Sequence, residues 1–180
     1  MRILNLPNSL TVARIILIPV FITAVIYKKH QHALFLFLLA AITDLLDGFI
    51  ARLTNQKTAL GRFLDPLADK LLLTSSFILF SFYEWIPLWL TITVISRDFI
   101  IVAGWLLLYM ITHDIRIEPM LLGKTAIALQ LITLALVLFH VNMPTIATPK
   151  DILFAVTAAV TAVSGLQYIY AGLRVADAQY

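Results

Sequence analysis

Apolar runs of about twenty residues recur six times along the chain, at roughly residues 9–27, 33–54, 62–83, 87–110, 121–140 and 151–172. Each is long enough to cross the roughly 30 Å hydrocarbon core of a bilayer as a helix. Together they use nearly all of the 180 residues, which predicts one integral membrane domain over 1–180 with no room for a soluble appendage. Composition points the same way. The chain is 61% hydrophobic and only 13% charged, where a soluble domain carries about a quarter charged residues. The expected fold class is an all-α integral membrane protein, a six-transmembrane-helix bundle.

The apolar run after Arg14 continues through ILIPVFITAVIY with no small-residue cleavage site, so it reads as the first span and not as a signal peptide. Asn8 or Ser9 would cap its start. The chain has no cysteine, which removes disulfides and Cys-based metal or redox chemistry. With the N-terminus inside, one face carries Arg2, Arg14, Arg52, Lys57, Arg62, Lys70, Arg116, Lys124 and Arg174. The other carries only Lys28, Lys29 and Lys150, and Arg97 falls within a span. The excess of basic residues predicts that both termini are cytoplasmic. Such a face suits anionic lipid headgroups. No nucleic-acid partner is expected, because no basic readout element is visible.

Against this apolar background, residues 44–69 hold four aspartates within 26 positions. Counting from Asp44 along a helix, Asp47, Gly48, Ala51 and Arg52 fall at +3, +4, +7 and +8, which is one stripe. On the third span, Gly61, Asp65 and Asp69 are spaced by four, again one stripe. The polar connection TNQKT is short, so the two helices should be antiparallel neighbours. Folding about residue 56 sets Asp47 opposite Asp65 and Asp44 opposite Asp69. Pro66 would kink the third helix or start it.

Magnitudes give the cluster a purpose. A central aspartate costs about 2.5–3.5 kcal/mol to insert, so four cost on the order of 10 kcal/mol. That rivals the whole stability of a typical domain. Divalent cations are the direct remedy, and an all-carboxylate site suits Mg²⁺ or Mn²⁺, with room for two ions. Two such ions roughly 4 Å apart are a device for phosphoryl chemistry on a diphosphate. Gly48 and Gly61 lie on the aspartate stripes, where a glycine lets a flat ligand approach the backbone, and Ala51 extends the groove. Arg52 on the same stripe can grip a phosphate through both arms of its fork.

The plainer readings are weighed beside this one. The aspartates can merely pair with Arg52, Arg62 and Lys70 to stitch a hairpin, and glycine spacing of this kind also serves helix packing. His30, His32, His113 and His140 fit interfacial or loop positions, and Trp85, Trp89 and Tyr168 fit interfacial belts. Arg97 and Asp98 can pair with each other, but ionic residues this deep in a span more often serve function.

Written out, the stretch is D44-x2-D47-G48-x2-A51-R52-x8-G61-x3-D65-x3-D69. This resembles the complete signature of the CDP-alcohol phosphotransferases, with every fixed position present. The resemblance extends to LPNSLTVARIILIP at the start, ISRD at 95–98, and the GK step at 123–124 followed by Gln130. It implies six transmembrane helices, a homodimer, and a two-metal site open to the cytoplasm and inner leaflet. By the same resemblance, Asp44, Asp47 and Asp65 ligate metal, Asp69 is the catalytic base with metal contact, and Gly48, Ala51, Arg52 and Gly61 line the CDP pocket.

The overall pattern resembles the branch of phosphatidylglycerophosphate synthases and eukaryotic-type cardiolipin synthases, which implies CDP-diacylglycerol as donor and CMP as leaving group. Glycerol-phosphate enzymes tend to carry a second arginine eight residues beyond position 97 and a second lysine three beyond the GK glycine. Here those positions are Trp105 and Ala126. The expectation therefore leans to phosphatidylglycerol as acceptor, with glycerol 3-phosphate as the alternative and Arg97, Arg116 and Lys124 as acceptor or phosphate-binding residues. A divalent-cation transporter is a remote alternative, because the last two spans are almost uncharged and no polar path to the far side is evident. A membrane prenyltransferase would separate its two aspartate motifs into different halves of a longer bundle. A bare scaffold is the last option. The expected location is an integral membrane protein, in the inner membrane if bacterial, with its active site facing the cytoplasm.

Overall fold

The computed structural model describes the backbone of residues 6–54, 59–112, 120–144 and 150–177, and side chains over 11–44, 67–108, 110, 120–144 and 150–174. Among the described residues the structure is all-α. Six helices follow in order: α1 (Leu6–Ile26), α2 (His30–Thr54), α3 (Ala59–Phe82), α4 (Leu88–Thr112), α5 (Leu121–Asn142) and α6 (Lys150–Asp177). Each matches one of the apolar runs to within a few residues. One local expectation fails, and one of two alternatives at Pro66 is removed. Helix α1 is already helical at Leu6, which puts Asn8 and Ser9 inside it and not at its cap, and α3 begins at Ala59 and not at Pro66.

Among the described residues, three helices are long and apolar enough to cross a membrane: Leu88–Leu108, Leu121–Asn142 and Lys150–Arg174. Helix α1 contributes a shorter apolar stretch, Thr11–Ile26. The charges of the aspartate motif lie in the remaining pair, α2 and α3. The exterior is greasy and the interior holds polar groups. Phe35 is 66% exposed and Phe99 72%, while Arg14 is 0% and Arg97 5% exposed. Large exposed apolar side chains of this kind are what lipid covers, and buried polar side chains are what a bundle keeps from it.

The helices form two compact units, residues 1–83 with 135–147, and residues 84–134 with 148–180. In the first unit α1 packs against both α2 and α3. Its core is an aromatic cluster with one ring from each helix: Phe21 lies 5.8 Å from Phe37 and 6.4 Å from Phe80, centroid to centroid. The buried stripes run directly into the aspartate motif. On α1 the buried positions are Thr11, Arg14, Ile18, Phe21 and Val25, and on α2 they are Ala33, Phe37 and Ala40, one turn before Asp44. On α3 they are Ala68, Leu72, Ser76 and Phe80. Hydrophobic periodicity thus places Asp44 and Asp69, the described ends of the motif, in line with the buried faces of α2 and α3. The Asn142 side-chain amide donates to the His30 carbonyl at 3.1 Å, tying the end of α5 to the start of α2.

In the second unit α4 packs on α6, and α6 presents a buried polar stripe at Thr157, Thr161 and Ser164. Each member is matched. Thr157 shares a hydroxyl–hydroxyl bond of 2.8 Å with Thr133, Gln130 Nε2 donates to Thr161 at 3.1 Å, and Arg97 Nη2 donates to Ser164 at 3.2 Å. Interhelical bonds of this kind join membrane helices where apolar burial supplies little driving force.

Candidate active site

The three inner stripes of the first unit meet at Arg14, Asp44 and Asp69. Arg14 Nη1 lies 2.5 Å from Asp44 Oδ1 and 2.5 Å from Asp69 Oδ1. One nitrogen therefore touches a carboxylate oxygen from each of two helices. The guanidinium is fully buried, whereas the carboxylates keep 34% and 41% of their side-chain surface open. Charge-assisted bonds of this kind are the strong class, and removing one partner from such a buried group is costly.

The arrangement supports one sequence expectation directly, since Asp44 and Asp69 do face each other. It also changes the account of the hairpin. Helix α1 supplies the cation, from a residue the charge pattern had grouped with the cytoplasmic basic face. The ion-pair reading named Arg52, Arg62 and Lys70 as partners; the side chains of Arg52 and Arg62 lie outside the described residues, and the described contact of Asp44 and Asp69 is to Arg14. A signal for it was present, because Thr11 and Arg14 are polar residues one turn apart in an otherwise apolar run. The side chains of Asp47, Gly48, Ala51, Arg52, Gly61 and Asp65 lie outside the described residues. Among the described residues no three His, Asp or Glu side chains converge as a metal group. The pair that is described still fits a hard divalent ion: its donors are carboxylate oxygens and both are already directed at a single cationic atom.

A second buried cation lies in the other unit. Arg97 Nη1 donates to Asp98 Oδ1 at 2.7 Å, Nη2 bonds Ser164, and the guanidinium carbon stands 5.8 Å from the centre of the Tyr168 ring. That distance is within cation–π range. The Arg97–Asp98 pairing agrees with the sequence reading. Gly123 and Gly165 leave the room for it. A Cβ at Gly123 would stand 3.1 Å from Tyr168 and 3.4 Å from Arg97 Nη2, and one at Gly165 would stand 3.3 Å from Arg97 Cγ. The GK step thus packs beside Arg97, with Lys124 exposed next to it. Arg116 lies outside the described residues. Arg97 Nε is buried with no hydrogen-bond partner among the described residues. Trp105 lines an apolar cavity of about 300 Å³ with Ile101, Gly104, Leu108, Tyr168 and Gly172. Ala126 is fully buried.

Comparison with known proteins decides the class. The family described as CDP-alcohol phosphatidyltransferase matches residues 4–164. The chain belongs to the CDP-alcohol phosphatidyltransferase family. It is accordingly an enzyme of the transferase class. This CDP-alcohol phosphatidyltransferase is 35% identical to the CDP-diacylglycerol–glycerol-3-phosphate 3-phosphatidyltransferase of Bacillus subtilis, over 91% of this chain and 93% of that one. The Escherichia coli enzyme of the same name is 35% identical over 93% of this chain and 94% of its own. The human cardiolipin synthase (CMP-forming) is 46% identical over 101 residues, which cover 56% of this chain and 34% of the human one.

Proposed function

We propose that this phosphatidyltransferase moves the phosphatidyl group of CDP-diacylglycerol to a hydroxyl of glycerol 3-phosphate and releases CMP. Similarity running through nine tenths of both chains carries the choice of acceptor. The lean toward phosphatidylglycerol gives way, because the higher identity to a cardiolipin synthase is confined to about half of this chain. Phosphatidylglycerol stays as the second reading on one specific observation. Trp105 forms a wall of an apolar cavity, a setting for a lipid tail and not for a second phosphate-binding cation.

In this reading Asp44, Asp47, Asp65 and Asp69 hold divalent metal, Mg²⁺ or Mn²⁺ and two ions per site. When bound, the metal neutralises the donor diphosphate and the leaving CMP. Asp69, half open to its surroundings, accepts the proton of the acceptor hydroxyl. The acceptor oxygen then bonds to the phosphorus that carries the diacylglycerol, and the bond from that phosphorus to the CMP oxygen breaks. Arg52 holds phosphate charge as it develops on CMP. Gly48, Ala51 and Gly61 leave room for the cytidine, and Arg97, Arg116 and Lys124 bind the acceptor phosphate. The bundle has six spans with both termini cytoplasmic, works as a homodimer, and opens its site to the cytoplasmic face.

The test is CMP release by purified protein given CDP-diacylglycerol and Mg²⁺, with glycerol 3-phosphate or phosphatidylglycerol supplied in parallel. Release with glycerol 3-phosphate alone is the expected result; release with phosphatidylglycerol alone transfers the assignment to the second reading. Asp44→Ala, Asp47→Ala and Asp65→Ala should each abolish both Mn²⁺ binding and turnover. Asp69→Asn should retain CDP-diacylglycerol binding while turnover falls by at least about 10²-fold, the scale of general-base catalysis. Wild-type turnover in any of the three alanine variants removes the two-metal assignment.

A further inference from the structure

Arg14 occupies the point on which two expected metal-ligating carboxylates converge. One Nη1 atom touches Asp44 and Asp69 at equal distances of 2.5 Å. Two carboxylates brought this close repel unless a cation lies between them. The fold supplies that cation from a third helix, on a side chain wholly out of solvent. Both carboxylates keep a third or more of their side-chain surface open, so an arriving ion meets oxygens that are already committed to Arg14.

We propose that Arg14 is a resident counter-cation: it holds Asp44 and Asp69 together in the metal-free protein and competes with the divalent ion for the same two oxygens. The inference rests on the metal-binding reading of Asp44 and Asp69 given above. Hard divalent ions bind carboxylate oxygens at about 2.0–2.6 Å. An ion that takes both oxygens would therefore stand where Nη1 now lies or within repulsive range of it. Loading requires the guanidinium to yield, which its long side chain allows and the short aspartates do not. Arg14 is then a positioning residue whose influence reverses with metal: it stabilises the empty site and weakens the ion's hold on the loaded one.

A simple structural tie would act equally in both states, and this separates the two roles. Purified wild type and Arg14→Gln are compared for Mn²⁺ affinity, read from the electron paramagnetic resonance signal of free Mn²⁺. Their thermal unfolding is followed in EDTA and in saturating Mn²⁺. The proposal expects Arg14→Gln to bind Mn²⁺ about tenfold more tightly, a usual size for coupling between two sites. Its deficit in melting temperature should be large in EDTA and shrink in Mn²⁺, as linkage requires. Equal or weaker Mn²⁺ binding, or a deficit of the same size in both conditions, overturns it. A variant that is unfolded in EDTA but restored by Mn²⁺ supports it, and one that folds in neither makes Arg14 structural only and overturns it. Wild type that binds no Mn²⁺ removes the metal-binding reading itself, an outcome distinct from wild type and variant binding alike.

Discussion

A glycine's worth in this bundle depends on what its missing Cβ would meet. Gly104 on α4 has no heavy atom within 4 Å of that position, whereas Gly165 on α6 faces the Arg97 side chain at 3.3 Å. Gly104→Ala should therefore raise stability by up to about 1 kcal/mol, the helix-propensity difference. Gly165→Leu should lower it by about 1–3 kcal/mol, the usual cost of overpacking. Unfolding in mixed detergent micelles checks both, and a loss at Gly104 or a gain at Gly165 would contradict the described packing. Residue-level chemistry was unevenly legible in the sequence. Asp44 and Asp69 could be paired from spacing because both lie on helical stripes and the turn between them is short. Arg14 could not be paired with them, since its partners are 30 and 55 positions away and only packing of α1 on α2 and α3 joins them.

At the level of elements, helix α1 ends in a turn that costs more than it needs to. Lys28 Nα donates to the Val25 carbonyl at 3.0 Å and Lys29 Nα to the Ala24 carbonyl at 2.9 Å. That is the bond pattern of a Schellman motif. The motif sets Lys28 at φ 57°, a left-handed conformation that costs a residue with a Cβ about 1–2 kcal/mol. Lys28→Gly should recover roughly 1 kcal/mol, seen as a higher melting temperature in detergent, and Lys28→Val should do the reverse. The bonds between α5 and α6 give a second expectation. Thr157→Val leaves the Thr133 hydroxyl without its interhelical bond and should cost about 0.6–1.7 kcal/mol, the range for such bonds in membrane bundles. Helix positions were legible because each apolar run has a polar end. The polar stripe of α6 was not, because threonine and serine blend into apolar runs and their partners on α4 and α5 are set by tertiary packing.

For the whole molecule, the testable property is orientation. The chain contains no cysteine, so any single introduced thiol reports on its own position. A cysteine replacing Lys28 should react with a membrane-impermeant maleimide added outside the cytoplasm. One replacing Arg174 should react only after the membrane is opened. The reverse pattern would invert the topology drawn from the basic residues. The two kinds of evidence differ here in reach: residue charge distinguishes the faces of the membrane, while the fold distinguishes inside from outside of the bundle. The arginine shared by Asp44 and Asp69 also bears on how the chain is made. Synthesis delivers α1 and α2 before α3, so Arg14 and Asp44 are available as an opposite-charge pair before Asp69 exists. Each lowers the other's cost of burial, so the pairing of α1 with α2 would bury an ion pair and not two separate charges. Asp69 then arrives as a second carboxylate for a guanidinium that is already paired, so the three-helix contact is completed only when α3 docks.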